Sequence, residues 1–122
     1  MCGICGEIYW DNQFASEQTL SSMLQEMVQR GPDDEGIWLN EHIGLGHRRL
    51  AIIDLSSAGH QPMQDGSLTL VFNGCIYNYE VLKLELEEIG HTFQSHSDTE
   101  VILKAYRQWG MECVSRFEGM FA

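Results

Sequence analysis

The order of strand-like and helix-like segments is the feature that most limits what this chain can fold into. Residues 2–10 are rich in β-formers and predict a first strand that ends at Asp11-Asn12. From Ser16, a typical N-cap, apolar residues recur at the spacing of an amphipathic helix until Gly31-Pro32, a strong stop signal. The chain therefore begins as a strand followed by an amphipathic helix.

Strand patterns dominate the middle of the chain. They recur at residues 36–39, 43–48, 50–54 and 68–72. Within the third of these, Ile52 and Ile53 are expected in the core. Asn73-Gly74 follows the last apolar run, and such a pair is the strongest short-range signal for a hairpin. Taken alone, these residues favour a tight turn at this pair.

Helical patterns return in the second half. Asn78 is a candidate cap of a second helix, and Ser97-Asp98 opens a third, with Asp98 itself a candidate N-cap. An apolar strand pattern begins at Gly119 and runs to the last residue. Strands grouped early, with helices between the later ones, predict an α+β layer architecture rather than a regular βαβ alternation.

Length and charge limit the class of protein. The 122 residues point to one domain at most, and a net charge of −11 with only seven Lys and Arg argues against a nucleic-acid partner. No apolar run approaches the ~18 residues of a membrane span, so no membrane partner is expected. The N-terminus lacks the pattern of a secretory signal, and we therefore expect a cytoplasmic location.

The position of Cys2 next to the start of the chain makes it a candidate nucleophile. If Met1 is removed, this residue carries both a thiol and the α-amine of the chain, which titrates near pH ~7.7–8.0 when unperturbed. An N-terminal nucleophile uses its own amine as general base, so Cys2 is a candidate catalytic residue without any histidine partner. The alternative is that Cys2 is simply part of a buried first strand.

The four cysteines also raise the question of a metal. Cys2 and Cys5 form one C-x-x-C pair, but Cys75 and Cys113 are isolated in the sequence. A structural zinc site needs four ligands, usually in two close pairs, so a zinc-binding module is the weaker hypothesis and no metal site is predicted.

Six motifs in a fixed order carry a family resemblance. They are MCGICG, RGPDDEG, LGHRRLAIIDL, FNGCIYNY, SDTEVIL and RFEGMFA. Together they resemble the class II, N-terminal-nucleophile glutamine amidotransferases, and in particular the glutaminase domain of asparagine synthetase B and its relatives. The resemblance implies a glutamine amidotransferase type 2 domain over residues 1–122. It also implies the αββα four-layer sandwich of N-terminal-nucleophile hydrolases, here apparently truncated at its C-terminus and without the synthetase domain.

The resemblance assigns catalytic roles to three residues. Cys2 corresponds to the nucleophile that attacks the side-chain amide of glutamine and forms a thioester. Asn73 and Gly74 correspond to the oxyanion hole, the side-chain amide and the backbone N–H that stabilise the tetrahedral intermediate. A tight turn at this pair is compatible with that role, since it would aim both donors.

Three further residues are implied in binding glutamine. Arg49 would hold the α-carboxylate, which its planar guanidinium suits, while Arg48 is expected to be structural or exposed. Asp98 would bind the α-ammonium. Cys75 stands where asparagine synthetases normally have a Glu that also contacts this ammonium, so the sequence departs from the family pattern at that position.

The resemblance also implies partners and cofactors. The glutaminase half needs no metal or cofactor, and ATP and Mg²⁺ are expected only in the missing synthetase domain, which would accept the ammonia. The alternative function is a catalytically weak fragment that acts as a docking or regulatory module of such a synthetase. If the sandwich is truncated, an exposed apolar sheet face would favour homo-oligomers.

Overall fold

A three-stranded antiparallel sheet forms the first half of the computed structural model, which describes residues 2–122. Strand β1 (Gly3–Ile8) and strand β2 (Asp34–Asn40) both pair with β3 (Ile43–Arg49), which gives the order β1-β3-β2. The turn between β2 and β3 places Glu41 at a positive φ of 49°. The strands predicted in this part of the chain are confirmed.

Helix α1 (Glu17–Glu26) covers one face of this sheet. The Ser16 side chain accepts a hydrogen bond from the Thr19 N–H, as an N-cap does, so the predicted helix start is confirmed. Leu20 and Leu24 are buried beneath the helix, over Gly44 and Gly46 of β3. A Cβ on Gly44 would lie 2.7 Å from a Leu20 methyl group, so these glycines let the helix pack close to the sheet.

The second half combines two-stranded sheets with helices. Strand β4 (Met63–Asp65) pairs with β5 (Leu68–Leu70), and β6 (Gly74–Ile76) pairs with β7 (Gly119–Phe121), all antiparallel. Helices α2 (Tyr79–Glu88) and α3 (Asp98–Trp109) lie between β6 and β7 in the chain, and a 3₁₀ segment (Gly110–Arg116) follows α3. The core of this half consists of Phe72, Ile76, Leu82, Leu86, Val101, Ala105 and Cys113.

The predicted strand at 50–54 is wrong. Residues 50–54 form a loop, and Ile52 is 69% exposed rather than in the core. The backbone donors here are satisfied by side chains instead of a neighbouring strand: the Leu50 N–H donates to Cys2 Sγ, and the Ala51 N–H donates to Asp33 Oδ2. The chain thus leaves the sheet directly after β3.

The predicted hairpin at Asn73-Gly74 is also wrong. The strands on its two sides do not pair with each other, because β5 pairs with β4 and β6 pairs with β7. Asn73 instead extends the second pairing, since its N–H donates to the Ala122 carbonyl and the Ala122 N–H donates back, both at 2.9 Å. A ladder with a distant segment therefore replaces the local turn.

The helix caps differ in detail from the sequence prediction. Ser97, and not Asp98, is the N-cap of α3, because the Ser97 side chain accepts from the Thr99 N–H while Asp98 is the first helical residue. Helix α2 begins after Asn78 as predicted, but the Asn78 side chain bonds to Arg116 and Glu118 rather than to its own helix.

The observed architecture is a mixed α+β fold, as the sequence predicts. Helices and antiparallel sheets alternate irregularly along the chain, with no repeated βαβ unit among residues 2–122. Within the same residues, no helix has both the length and the apolar character needed to cross a membrane.

Candidate active site

One cavity of about 160 Å³ collects all six of the predicted site residues. They come from the chain start, the end of β3, the segment at β6 and the start of α3, and they are Cys2, Arg49, Asn73, Gly74, Cys75 and Asp98. We call this space the active-site cavity. Segments distant in the sequence meet here, although no local pattern requires them to.

Cys2 lies just before β1 and is fixed by the loop that follows β3. Its Sγ accepts from the Leu50 N–H at 3.4 Å and lies 3.7 Å from the Leu50 carbonyl oxygen. The Cys2 carbonyl accepts from Arg30 Nε at 2.8 Å, in the turn after α1. Contacts with two loops therefore hold the thiol at the cavity.

Arg49 is buried at the end of β3, with 8% of its surface exposed. Two of its guanidinium N–H groups donate to loop carbonyls, one to Ser56 at 2.8 Å and one to Asp54. Gly59 lies against the guanidinium so closely that a Cβ there would collide with it. The loop thus wraps around Arg49 and orients the positive charge at the cavity wall.

Arg48, the neighbour of Arg49, has a structural role, as predicted. Its Nε donates to the Gly31 carbonyl at 2.8 Å and its guanidinium forms an ion pair with Glu35. Successive residues of a strand point to opposite faces, so Arg48 lies on the helix side and Arg49 on the cavity side.

Asp54 is a site residue that the sequence analysis did not identify. Its carboxylate accepts from the Ser56 hydroxyl at 2.6 Å, from the Ser56 N–H at 2.8 Å and from the His96 N–H at 3.1 Å. The hydrogen bond from the Ser56 hydroxyl is the main cause that lowers the pKa of Asp54. The Asp-x-Ser spacing was the available signal, because such pairs form side-chain-stabilised turns.

The Gly74 N–H faces away from β7, as the pairing of β6 shows. In an antiparallel ladder hydrogen-bonded and non-bonded pairs alternate, and residues 73 and 122 form a bonded pair. The Gly74 and Phe121 pair is therefore non-bonded, so the Gly74 N–H points to the same edge as the Ile76 N–H, which donates to Asp98. This edge is where a ligand of the cavity would meet a backbone donor.

The Asn73 side chain also has unused hydrogen-bonding capacity. Its Oδ1 is buried and has no hydrogen-bond partner among residues 2–122. Because buried amide groups are normally paired, a polar atom left without a partner beside a cavity is typical of a ligand-binding position.

Asp98 supplies a buried carboxylate at the other side of the cavity. It is 5% exposed, and its Oδ2 accepts from the Ile76 N–H at 3.0 Å. Burial raises the pKa of Asp98, while backbone hydrogen bonds from Ile76 and Thr99 oppose this shift. Burial also raises the pKa of Cys75, with a further contribution from the Asp98 charge, so the two side chains are electrostatic neighbours.

The C-x-x-C pair is divided between two sides of the sheet. Cys5 packs under helix α1, where a Cβ on Gly46 would lie 2.6 Å from its Sγ, whereas Cys2 lines the active-site cavity. Across residues 2–122, no three His, Cys, Asp or Glu side chains are grouped as metal ligands would be.

Comparison with known proteins identifies one domain family. A family model described as a glutamine amidotransferase domain matches residues 1–122. Two proteins of Bacillus subtilis, named glutamine-hydrolysing asparagine synthetases 3 and 1, are 41% and 44% identical over the whole chain. A putative glutamine-hydrolysing asparagine synthetase 2 of Methanocaldococcus jannaschii is 42% identical, again over the whole chain.

The match covers only part of these relatives. This chain spans 20% of each of the two Bacillus subtilis proteins and 27% of the Methanocaldococcus jannaschii protein. Because the family model covers the chain from end to end, the protein belongs to the glutamine amidotransferase domain family.

Proposed function

We propose that this chain hydrolyses the side-chain amide of glutamine to glutamate and ammonia, as the glutaminase part of an asparagine synthetase-like amidotransferase. The observation that carries the proposal is the convergence of the six residues from four distant segments on one cavity. The names of the two Bacillus relatives describe glutamine hydrolysis, and the chain spans about a fifth of each. The ammonia acceptor would therefore belong to a synthetase portion outside these residues.

The chemistry would begin with removal of Met1, which frees the α-amine of Cys2. That amine accepts the thiol proton while the sulfur attacks the amide carbon, and a tetrahedral intermediate forms. Collapse of the intermediate breaks the C–N bond, ammonia leaves with a proton returned from the amine, and a thioester remains. Water then hydrolyses the thioester, releasing glutamate and restoring the thiol.

Asn73 and Gly74 would stabilise the intermediate. The Gly74 N–H points away from β7 into the edge shared with Asp98. The Asn73 side chain would donate through Nδ2, because its unpartnered Oδ1 is an acceptor and cannot bind an oxyanion. Donors preorganised around the developing oxyanion account for about 10²–10³ in rate per donor in comparable sites.

Arg49 and Asp98 would bind the two ends of the amino acid. The Arg49 guanidinium uses two N–H groups on the loop carbonyls and presents the remainder to a carboxylate, whereas Asp98 would pair with the α-ammonium. With Cys75 in place of a glutamate, Asp98 becomes the main anionic contact for that ammonium. We therefore expect weaker glutamine binding than in relatives that have the glutamate.

The fold proposal follows from the same framework. Helix α1 forms an outer layer on the three-stranded sheet, and a four-layer αββα sandwich would place a second sheet on the opposite face. Residues 1–122 would be the N-terminal part of that domain. The proposed steps use only groups of the chain and water, so the glutaminase half would need no cofactor, and ATP and Mg²⁺ would act in the synthetase domain.

The test is the intact mass of the purified chain before and after treatment with a glutamine-mimicking diazoketone. We expect loss of Met1 and one covalent adduct, which Cys2→Ala abolishes and Cys5→Ala does not. A chain that loses Met1 and forms no adduct, with no glutamate released from glutamine, would contradict the proposal.

A docking or regulatory module is the second candidate function. One observation favours it: the Arg49 guanidinium already donates to two loop carbonyls. The family resemblance adds that Cys75 stands where asparagine synthetases normally have a Glu. Binding of the chain to a synthetase domain without adduct formation would support it.

A further inference from the structure

The residue before the proposed oxyanion hole is held by two buried side chains. The Phe72 N–H donates to Gln61 Oε1 at 2.6 Å, and the Phe72 carbonyl lies 3.2 Å from His47 Nε2. Phe72 belongs to none of the strands, so side chains replace the ladder that would normally fix its backbone. The position of Asn73 and Gly74 therefore depends on these two contacts on one side and on the pairing with β7 on the other.

Gln61 also reaches the start of helix α3. Its Nε2 donates to Thr99 Oγ1 at 3.2 Å, and Thr99 directly follows Asp98. Gln61, Phe72 and Thr99 are all buried, with 5%, 5% and 2% of their surfaces exposed. One side-chain amide thus joins the segment of the oxyanion hole to the segment of the proposed ammonium contact.

The orientation of this amide is fixed by its partners. A backbone N–H can only donate, so the Gln61 atom that faces Phe72 must be the oxygen. The NH₂ group then faces Thr99, whose hydroxyl accepts. Both ends of the amide are used, and reversing it would place two donors face to face in a buried site, which is costly.

His47 acts on the same residue from the sheet. Because a carbonyl can only accept, His47 Nε2 carries the proton in this contact. His47 is fully buried, and burial, with a smaller contribution from the Arg49 charge, lowers its pKa to about 4. The imidazole is therefore a neutral donor near pH 7. It lies two residues before Arg49 on the same strand.

We infer that Gln61 is a positioning residue which, with His47, sets the distance between the oxyanion hole and Asp98. We call this group of four residues the Gln61 clamp; it consists of Gln61, His47, Phe72 and Thr99. The inference rests on the proposed function for its catalytic consequence. Glutamine binds through its α-groups and reacts at its side-chain end, so the separation of these two subsites decides whether the amide carbon reaches Cys2. A displacement of about 1 Å is enough to cost about 10²-fold in rate.

The first test is Gln61→Met, which keeps the length of the side chain and removes both hydrogen bonds. We expect kcat for glutamine hydrolysis to fall about ten- to a hundredfold, with KM within about threefold, because the oxyanion contact acts in the transition state. The matched control is Gln64→Met, since Gln64 is exposed on β4 and its Nε2 donates to Thr69 Oγ1, away from the active-site cavity. An unchanged kcat in Gln61→Met would overturn the inference.

A second pair of variants covers the case in which Gln61→Met does not fold. Thr99→Val keeps the shape of the side chain and removes the acceptor, whereas Thr99→Ser retains the hydroxyl. We expect Thr99→Val to lower kcat and to speed hydrogen–deuterium exchange of the Phe72 amide, and Thr99→Ser to restore both. Equal exchange in all three proteins would show that Gln61 does not couple these segments.

The two proposals fail in different ways. A folded wild-type chain that releases no glutamate contradicts the proposed function, and the exchange measurement then still decides whether the Gln61 clamp exists. If the wild-type chain is active and neither Gln61→Met nor Thr99→Val changes kcat, only this inference is contradicted.

Discussion

The two faces of strand β3 are buried by different kinds of contact. On the face toward α1, the leucines of the helix pack against Gly44 and Gly46. At the C-terminal end of the strand, Arg48 forms an ion pair with Glu35. On the other face, His47 and Arg49 are buried polar groups whose partners are backbone carbonyls, of Phe72 and of the loop that follows β3 respectively. One strand thus supports a packed helix with one set of residues and a reactive cavity with the alternate set.

This difference shows why burial alone does not distinguish a core from a site. Both faces are buried at the end of β3, but the face toward α1 is covered mainly by apolar contacts, which tolerate substitutions of similar volume. The cavity face relies on directional hydrogen bonds, and loss of one partner leaves the other unpaired in a buried place. Changes on the helix face should therefore affect stability alone, whereas changes on the cavity face should affect chemistry as well as stability.

The largest expected effect separates Cys2 from Cys5. Cys2→Ala removes the proposed nucleophile and should lower glutamine hydrolysis by about 10³-fold or more, with little change in the free energy of unfolding. Cys5→Ala should leave kcat unchanged and destabilise the chain by about 1 kcal/mol, because the thiol packs as a small apolar group beneath α1. Glutamate release measures the rate of hydrolysis, and urea unfolding measures the free energy of unfolding. Loss of activity in Cys5→Ala would break the comparison.

The next effect concerns the pH dependence of stability through His47. In the unfolded chain this imidazole becomes protonated as the pH falls through 6.5. In the folded protein its pKa is about 4, so it becomes protonated only near that pH. The folded-state pKa is lowered, so the free energy of unfolding should decrease as the pH falls from 6.5 to 4, by up to about 3 kcal/mol. His47→Gln should remove most of that decrease in urea unfolding at several pH values. An equally steep pH dependence in the variant would contradict the prediction.

Asp98 and Glu100 give a matched pair two residues apart. Asp98→Asn should raise KM for glutamine about ten- to a hundredfold with a much smaller change in kcat, because a charge-assisted contact to the ammonium is worth about 1.5–3 kcal/mol. Glu100→Gln should affect stability and not KM, since that carboxylate accepts from the backbone N–H groups of Gln94 and Ser95.

The pH dependence of KM should follow the same carboxylate. Because burial raises the pKa of Asp98, KM should rise in the wild type as the pH falls toward that pKa, and this rise should be absent in Asp98→Asn. Steady-state kinetics between neutral and acidic pH measures it. An unchanged KM in Asp98→Asn would exclude the proposed ammonium contact.

The smallest expected effect is a gain at Cys75. Cys75→Glu should lower KM for glutamine by about tenfold, because a second carboxylate would join Asp98 at the ammonium. In the absence of substrate the two carboxylates repel each other, so the variant should also be slightly less stable. Cys75→Ser, which adds no charge, is the control. A lower KM in Cys75→Ser would show that size rather than charge limits binding.

Much of the fold could be predicted because it depends on neighbouring residues. The helix after Ser16, the strands on either side of Glu41 and the start of α3 follow from side-chain period, capping and turn residues. The six motif residues were also found from sequence, and the structure brings all of them to one cavity. Their individual roles remain predictions.

The errors share a physical cause. Residues 50–54 have the composition of a strand, but Cys2 and Asp33 take up the N–H groups of Leu50 and Ala51. Asn73-Gly74 has the composition of a hairpin, but β7 pairs with that segment from the far end of the chain. In both cases a long-range hydrogen bond outcompetes a local preference.

The sequence by itself determined most of the elements, the family and the candidate residues, because periodicity, caps and ordered motifs depend on residues that are close together in the chain. Only the tertiary structure decided that Gln61 lines the active-site cavity and that His47 contacts the Phe72 carbonyl, since both are recognised by their buried partners and not by their neighbours in the chain. A buried polar group needs a hydrogen-bond partner, and the fold can supply that partner from any part of the chain. No local sequence pattern therefore predicts which residue it will be.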